Sequence, residues 1–450
     1  MKMAEQILLK KGIRSDSIWV SRWFYRKPFL LIPLFLDVWA LKRSQYWPRA
    51  RLDALSLARL RAFTRNINTY PFWRERFEHA GISPEAVTLA DLAKLPVLTK
   101  KDFSEHPLET YTDTARLKLA YKDFTSGSTG SPLEHYFDCS SELRSFGICE
   151  RLFISAGGGM RYPVVAIRSG PRMGFALRKQ YMFFVRSYAS IKFRIDALID
   201  FSKRFKRGHI LYCYTSWLTE VARLIEEKGV KLPIRAMIVT GEGMGEVQRA
   251  HVEKVMGTQL YNAYATRELG WIGFECPQRK IHLNEEWAHV AIVDEHDRML
   301  PFGTKGRVVV TTFDNRSMPF IQYENGDTGI ISDEPCGCGR TLRTIEFLGR
   351  TLEFIEVGEG RIVSLLDIFP VFDLYAHTVS QFQIVQNEPL DFTLRVVPAS
   401  SYEANKTRLQ ENLVRRLHPK ARITWEIVED IPRAPSGKAV YFVRAQAKKS

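Results

Sequence analysis

Positions 123–132 read Asp-Phe-Thr-Ser-Gly-Ser-Thr-Gly-Ser-Pro, with four hydroxyl residues and two glycines inside 125–130. A loop of this composition behind an apolar strand suits phosphate. Gly127 and Gly130 allow close approach and unusual dihedrals, so backbone N–H groups can converge on one anion. Thr125, Ser126, Ser128 and Thr129 add hydroxyl donors. The stretch lacks the Gly-Lys-Ser/Thr ending of a Walker loop. Far away, 431–438 reads Ile-Pro-Arg-Ala-Pro-Ser-Gly-Lys. The prolines and glycine make a constrained turn that fixes where Lys438 starts. Its ammonium can bridge two anionic oxygens, such as a carboxylate and an α-phosphate. Alone, the first stretch is an ordinary surface loop and Lys438 a solvated lysine; together they point to a nucleotide site.

A metal site is legible from spacing. Cys276 and His282 lie six positions apart, and Cys336-Gly-Cys338 begins 54 positions after His282. Three thiolates and an imidazole suit tetrahedral Zn²⁺ with no open position, hence a structural role. The plainer alternative is reduced buried cysteines and a surface histidine. Cys139, Cys149 and Cys213 have no such company and read as core residues.

The elements that must position these groups follow from periodicity. Positions 52–80 are helical, with apolar Leu55, Leu57, Leu60, Phe63, Ile67 and Phe72 and a break at Pro71; 96–99 is a turn before a helix opening near Lys100. Buried strands at 164–167 and 236–239 alternate with helices at 217–227 and 245–256, which argues for a layered α/β body with a parallel component. From 288 to 331 the pattern turns β-rich, with strands at 290–293 and 307–312. After Gly349 a helix at 365–372, strands at 382–385, 392–397 and 423–428, and an amphipathic helix at 403–417 make a small α+β unit. Gly157-Gly-Gly159 is either a close-approach point for substrate or a plain loop. Trp217, Trp271 and Trp287 belong to the core or a pocket wall, and His135 and His209 have no visible partner.

With these motifs in hand, the chain resembles the adenylate-forming superfamily of acyl-CoA synthetases, most closely the phenylacetate-CoA ligase branch with its CapK-like and adenylylating relatives, over about 52–443. The resemblance implies an α/β fold: a large layered N-terminal domain with mixed sheets (1–349) and a small mobile α+β C-terminal domain (350–450), hinged at about Glu353. The stretch 264–268, Tyr-Ala-Thr-Arg-Glu, is similar to a family element in which Tyr264 would stack near adenine, Ala265 and Thr266 would line the site and Glu268 would hold Mg²⁺. Gly241 and Glu242 would border the base, Asp327 would accept from the ribose hydroxyls, and Arg350 would sit near ribose or phosphate. Catalysis would rest on Lys438 and Glu268.

The implied activity is ATP-dependent activation of a carboxylic acid, aromatic by resemblance, to an acyl-adenylate, followed by transfer to CoA. Alternatives are a non-CoA acceptor, an adenylylating activity, or a non-catalytic CapK-like scaffold. The acyl pocket is expected around 146–160 and 241–244. Some members of the branch carry zinc at matching positions. The sequence departs from the branch at Gln322 and Glu324, where arginines are usual, at Ala265 for glycine, and at Glu353 for Asp.

The chain has 450 residues, 45% hydrophobic and 26% charged, with 65 Lys and Arg against 50 Asp and Glu, a formal +15. This is globular composition, and six cysteines do not make a disulfide scaffold. Positions 1–66 hold fourteen basic and four acidic residues, so +10 lies there. The apolar run 29–41, broken by Pro33 and Asp37, is too short to span a bilayer. Its basic flank, with Trp19, Trp23 and Phe24, leaves a peripheral membrane contact as a possible partner. No nucleic-acid-binding motif is present. The expected compartment is the cytoplasm; oligomeric state is not legible.

Overall fold

The computed structural model describes residues 13–14, 31–118, 120–125, 133–158, 162–168, 180–184, 188–350, 354–358, 361–375, 378–399, 401–434 and 438–445, to which the statements below apply. The strands are β1 (Ile13–Arg14), β2 (Tyr121–Phe124), β3 (Glu134–Phe137), β4 (Val164–Arg168), β5 (Gln180–Phe184), β6 (His209–Tyr214), β7 (Ile234–Thr240), β8 (Leu260–Thr266), β9 (Gly270–Glu275), β10 (Ile281–Leu283), β11 (Ala288–Val293), β12 (Lys305–Thr312), β13 (Tyr323–Ser332) and β14 (Thr344–Arg350). Twelve of these form one sheet in the order β1-β5-β4-β6-β7-β8-β9-β10-β14-β13-β12-β11, and β2 pairs with β3 apart from it.

The sheet has two halves. From β5 through β8 neighbours run parallel, and from β8 onward they run antiparallel. In the parallel half every residue of β6 is buried, as a strand covered on both faces must be. The covering helices are α7 (Cys139–Ser155), α8 (Tyr188–Lys203), α9 (Thr215–Glu227) and α10 (Glu246–Met256). On α9 the residues Trp217, Leu218, Val221, Leu224 and Ile225 recur at helical spacing and all are buried against the sheet. Gly257, at φ +68°, ends α10 in the left-handed conformation that glycine adopts without penalty.

Before the sheet lie α1 (Leu31–Ser44), α2 (Arg49–Thr64), α3 (Pro71–His79), α4 (Lys100–Glu105) and the single turns α5 (Leu108–Tyr111) and α6 (Thr114–Leu117). The expected break at Pro71 is the first residue of α3, where a missing N–H costs nothing. α1 packs on α7 at Gly147, where a β-carbon would lie 2.5 Å from Asp37 Oδ2. Arg151 on α7 is fully buried, yet both ends of its fork are used: Glu286 at 2.7 Å and Asn284 at 2.6 Å. The outer face of α1 leaves Ile32, Phe35, Leu36 and Trp39 between 48% and 63% exposed, an i, i+3, i+4, i+7 stripe.

Beyond β14 a separate core begins at Ile355. It comprises the hairpin β15 (Phe354–Glu356) and β16 (Ile362–Ser364), helix α11 (Leu365–Leu374), β17 (Val379–Glu388), β18 (Asp391–Pro398), helix α12 (Tyr402–Leu417), β19 (Arg422–Ile427) and β20 (Phe442–Arg444). Its four-stranded sheet has the order β19-β18-β17-β20. This unit meets the N-terminal body through α11, which packs beside α10, and through polar contacts. Arg433 lies 3.6 Å over the Trp217 ring and donates to Ser216 Oγ at 2.6 Å. The Glu242 carboxylate accepts the Ala439 N–H and the Ser216 N–H, each at 2.7 Å.

Candidate active site

A cavity of about 480 Å³ opens where the parallel half of the sheet meets the antiparallel half. The carboxyl ends of β6, β7 and β8 deliver Tyr214, Thr240, Gly241 and Thr266 to its wall, the usual place for a ligand in an open α/β sheet. β13 adds Tyr323, Asn325 and Asp327, the end of β14 adds Arg350, and the C-terminal unit adds Lys438. The two motifs 300 positions apart in sequence therefore reach one cavity: Thr125 stands on its wall, and so does Lys438. Ser126, Gly127, Ser128, Thr129 and Gly130 lie outside the described residues, as do residues 435–437 before Lys438.

Lys438 reaches the cavity through a gap that only glycine leaves. A β-carbon on Gly241, at φ +80°, would sit 2.8 Å from Lys438 Cε and 3.3 Å from the Tyr214 ring. Its neighbour Glu242, expected beside a nucleotide base, accepts with both carboxylate oxygens from the backbone of residues 216 and 439. It borders the cavity and ties the two units together.

Asp327 anchors one end. Tyr264 donates its hydroxyl to Asp327 Oδ2 at 2.8 Å, Asn325 Nδ2 donates to the same oxygen at 2.7 Å, and Arg350 Nε stands 3.2 Å from Oδ1. The cross-strand register puts Asp327 opposite Arg350, so this pairing is fixed by the sheet. Burial pushes the carboxyl above its ordinary range, and the Arg350 guanidinium and Tyr264 hydroxyl pull back against it. Burial likewise pushes the Tyr264 hydroxyl well up, so it stays a donor.

Glu268 also lines the cavity, in the tight turn between β8 and β9. Gly270, at φ +71°, makes that turn possible, since a β-carbon there would press on the Trp287 ring at 3.2 Å. The Tyr323 hydroxyl, raised by burial and by the Glu268 charge, is hydrogen-bonded to Glu268. Lys100 stands at the start of α4 with Glu268 and Arg350 within electrostatic reach, and burial lowers its pKa. Sequence reasoning did not single out Lys100. The readable signal was the capping box formed by Thr99 and Asp102, which fixes where α4 begins. Leu98 then pairs with β13 through its N–H to Gln322 O at 2.7 Å, holding Lys100 beside Tyr323.

The remaining wall is largely aromatic: Phe137, Tyr212, Tyr214 and Trp271, with Glu142 and Ser145 from the first turns of α7. Of the ranges expected to form the acyl pocket, 241–243 line the cavity and none of the described residues 146–158 does; Phe137, Glu142 and Ser145 line it just upstream. Gly159 and Met160 lie outside the described residues. Gly157, at φ +79°, closes α7, and Gly158 packs on Ile210, so these two end a helix. Trp287 is core, and Trp217 is buried beneath Arg433.

Cys276, His282, Cys336 and Cys338 converge, with all ligand atoms within 4.8 Å of one another. Cys276 Sγ and Cys336 Sγ are 3.7 Å apart, and Cys338 Sγ is 3.2 Å from His282 Nε2. Zn–S bonds of about 2.3 Å at tetrahedral angles require thiolates about 3.8 Å apart, so the spacing fits zinc. His282 Nδ1 lies 2.8 Å from Leu342 O, which leaves Nε2 free to ligate. The cluster joins the β9–β10 hairpin to the β13–β14 turn. Cys149 and Cys213 are buried core thiols, as expected; the Cys139 side chain is outside the described set.

With this geometry in view, comparison with known proteins is informative. The CapK C-terminal domain family matches residues 355–445. A phenylacetate-coenzyme A ligase of Thermus thermophilus is 27% identical over 357 residues, covering 75% of this chain and 79% of that protein. Protein CapK of Staphylococcus aureus is 22% identical over 394 residues, covering 83% and 84%. Over most of its length the chain is thus similar to phenylacetate-CoA ligases and to CapK, and its fold is that of the adenylate-forming CoA ligases. Among solved structures of this fold, a 2-hydroxyisobutyryl-CoA ligase in its postadenylation state superposes with TM-score 0.73 at 19% identity, covering 90% of this chain and 93% of that one. The same ligase in its thioesterification state gives 0.61 at 19% identity, covering 89% and 92%.

The departures from the adenylate-forming pattern have different weights. Gln322, at φ +52°, turns away from the cavity and donates to Leu92 O at 2.7 Å, so its side chain belongs to the core. Glu324 does reach the cavity wall, but it is paired with Arg307 at 2.5 Å. Glu353 lies outside the described residues.

Proposed function

We propose that this chain is an AMP-forming ligase that activates a carboxylic acid with ATP and passes the acyl group to CoA. The observation carrying this reading is the convergence of Lys438, Asp327, Arg350 and Glu268 on one cavity that also holds the start of the 125–130 loop. In the first step a carboxylate oxygen of the acid attacks the α-phosphorus of ATP. The bond from that phosphorus to the bridging oxygen breaks, and pyrophosphate leaves with the electron pair. Two anions must meet, so the protein's contribution is position and positive charge. Lys438 would stand over the reacting oxygens, and Lys100 and Arg350 would offset charge from the walls. Asp327, held by Tyr264 and Asn325, would accept the ribose hydroxyls. Glu268 would hold Mg²⁺, which suits hard oxygen ligands and neutralises phosphate charge. In the second step the CoA sulfur attacks the acyl carbon, AMP leaves with the phosphate oxygen, and the thiol proton passes to solvent. The aromatic wall supports an aromatic acid.

The test is pyrophosphate release from ATP with a panel of aromatic and aliphatic acids, with and without CoA. Lys438→Ala should lower release at least about 100-fold, about 2.7 kcal/mol in barrier, with an unchanged melting temperature. Near-full release by that variant would overturn the role given to Lys438. A thioester absent despite pyrophosphate release would assign a different acceptor.

We assign zinc to the Cys276, His282, Cys336 and Cys338 cluster in a structural role; one zinc per chain by elemental analysis is expected, and none would refute it. The exposed stripe of α1, continuous with the basic segment 1–30 (seven basic and two acidic residues), supports peripheral contact with an anionic bilayer. No helix among the described residues is long and apolar enough to cross a membrane. Co-sedimentation with phosphatidylserine vesicles, lost in Phe35→Ser/Trp39→Ser, checks this; equal sedimentation of both proteins would refute it.

A further inference from the structure

Glu142 is a carboxyl group on the cavity wall for which the ligase reading has no use. It stands in the first turn of α7, but the helix start is already served by Asp138. The Asp138 carboxylate accepts the Ser141 N–H at 2.9 Å, the Ser140 hydroxyl at 2.6 Å and the Arg316 N–H at 3.0 Å. The Glu142 carboxyl has no hydrogen-bond or ion-pair partner among the described residues, although the Glu142 N–H donates to Asp138 O at 3.0 Å. The charge it feels is Asp138, of like sign, and burial together with that charge pushes its pKa up to about 7. An acid held so far from compensation is costly unless something that enters the cavity completes it.

Its surroundings say which part of the substrate that would be. Under the ligase reading Lys438, Asp327, Arg350 and Glu268 serve the nucleotide and its phosphates. Glu142 lines the same cavity as Phe137, Ser145, Tyr212 and Trp271, with the Tyr212 and Trp271 rings 6.4 Å apart and steeply inclined. A plain aromatic acid would fill the apolar surface and leave the carboxyl unmatched. An acid with an N–H or O–H group would satisfy both.

We infer that the acyl end of the cavity selects a carboxylic acid bearing an amine or hydroxyl donor away from its reacting carboxylate, and that Glu142 accepts that donor. This rests on the adenylation reading and specifies its substrate class. A site built around a buried acceptor rejects the analogue lacking the donor far more strongly than an apolar pocket rejects an extra methyl group.

The experiment measures ATP–pyrophosphate exchange by the full-length protein with benzoates and phenylacetates carrying amino, hydroxyl, methyl or no substituent at each ring position. The donor-bearing acid of best fit should exceed its methyl isostere at least tenfold in kcat/KM. Glu142→Leu should lose at least tenfold on that acid and gain on the methyl isostere, while Glu142→Gln, which keeps an acceptor oxygen, should fall between. Comparing amine with hydroxyl decides between the two donors. Exchange that favours the methyl or unsubstituted acid in the wild type, or a donor-to-methyl ratio within twofold of wild type in Glu142→Leu, overturns the inference and leaves the ligase reading standing. Absence of exchange with every acid defeats the ligase reading, and this inference falls with it.

Discussion

The Cys/His cluster and the cavity share β13 and β14 but are built on opposite plans. The cluster's four donors face one another within 4.8 Å, come from two hairpins, and leave no opening. The cavity's polar groups face a space of about 480 Å³ and come from strands, turns, a helix start and a second unit. A closed set of ligands suits holding a fold together, and an open one suits holding something that comes and goes. Damage to the first should therefore appear as lost stability, and damage to the second as lost rate.

The largest effect expected is that of Lys438→Ala, at least 100-fold in pyrophosphate release without a stability change; a variant that loses stability as well would erase the contrast. Next comes the cluster. Zinc removal by chelator, or Cys336→Ser, should lower the melting temperature by about 5–10 °C, corresponding to a few kcal/mol, with activity per folded molecule largely kept at low temperature. A cluster variant with native melting behaviour would remove its structural role. Gly241→Ala should slow pyrophosphate release about tenfold, because the new β-carbon meets the Lys438 side chain at 2.8 Å. Its stability cost should be only the about 1–2 kcal/mol of a non-glycine residue in the left-handed region. Unchanged release would mean that Lys438 does not need this gap.

A further effect is a background that acid would add to such measurements. Burial holds the His209 imidazole down at about 4, against an ordinary 6.5. The unfolded chain therefore binds the proton first as pH falls, so this stabilisation is complete above about pH 6.5 and is lost toward pH 4. The loss is at most about 3 kcal/mol. His209→Gln should flatten the dependence of urea midpoint on pH between 7 and 5; an unchanged slope would exclude His209 as the source.

The same contrast explains what sequence could deliver. The cluster is legible because its ligands keep short, regular spacings on adjacent hairpins. Strands such as β6 and β7 are legible because burial on both faces leaves unbroken apolar runs. Lys438 and the 125–130 loop were each ambiguous alone, and their meaning came from resemblance. Glu142 was hidden because an acid in the first turn of a helix is ordinary, and only the cavity shows that Asp138 already fills that role. The tie that Glu242 makes to the second unit was hidden, because sequence cannot show a docked unit donating to both of its oxygens. Gln322 looked like a lost cation until its φ of +52° turned it toward Leu92.

The central claim is that this cavity holds an acyl-adenylate with its ribose on Asp327. The most direct measurement is calorimetric titration with the non-hydrolysable sulfamoyl adenosine analogue of the acid that performs best in the pyrophosphate-exchange panel. The account predicts one site per wild-type chain and at least about 50-fold weaker binding to Asp327→Ala, with the fold intact. Equal affinity for both proteins, or no binding to the wild type, would contradict it.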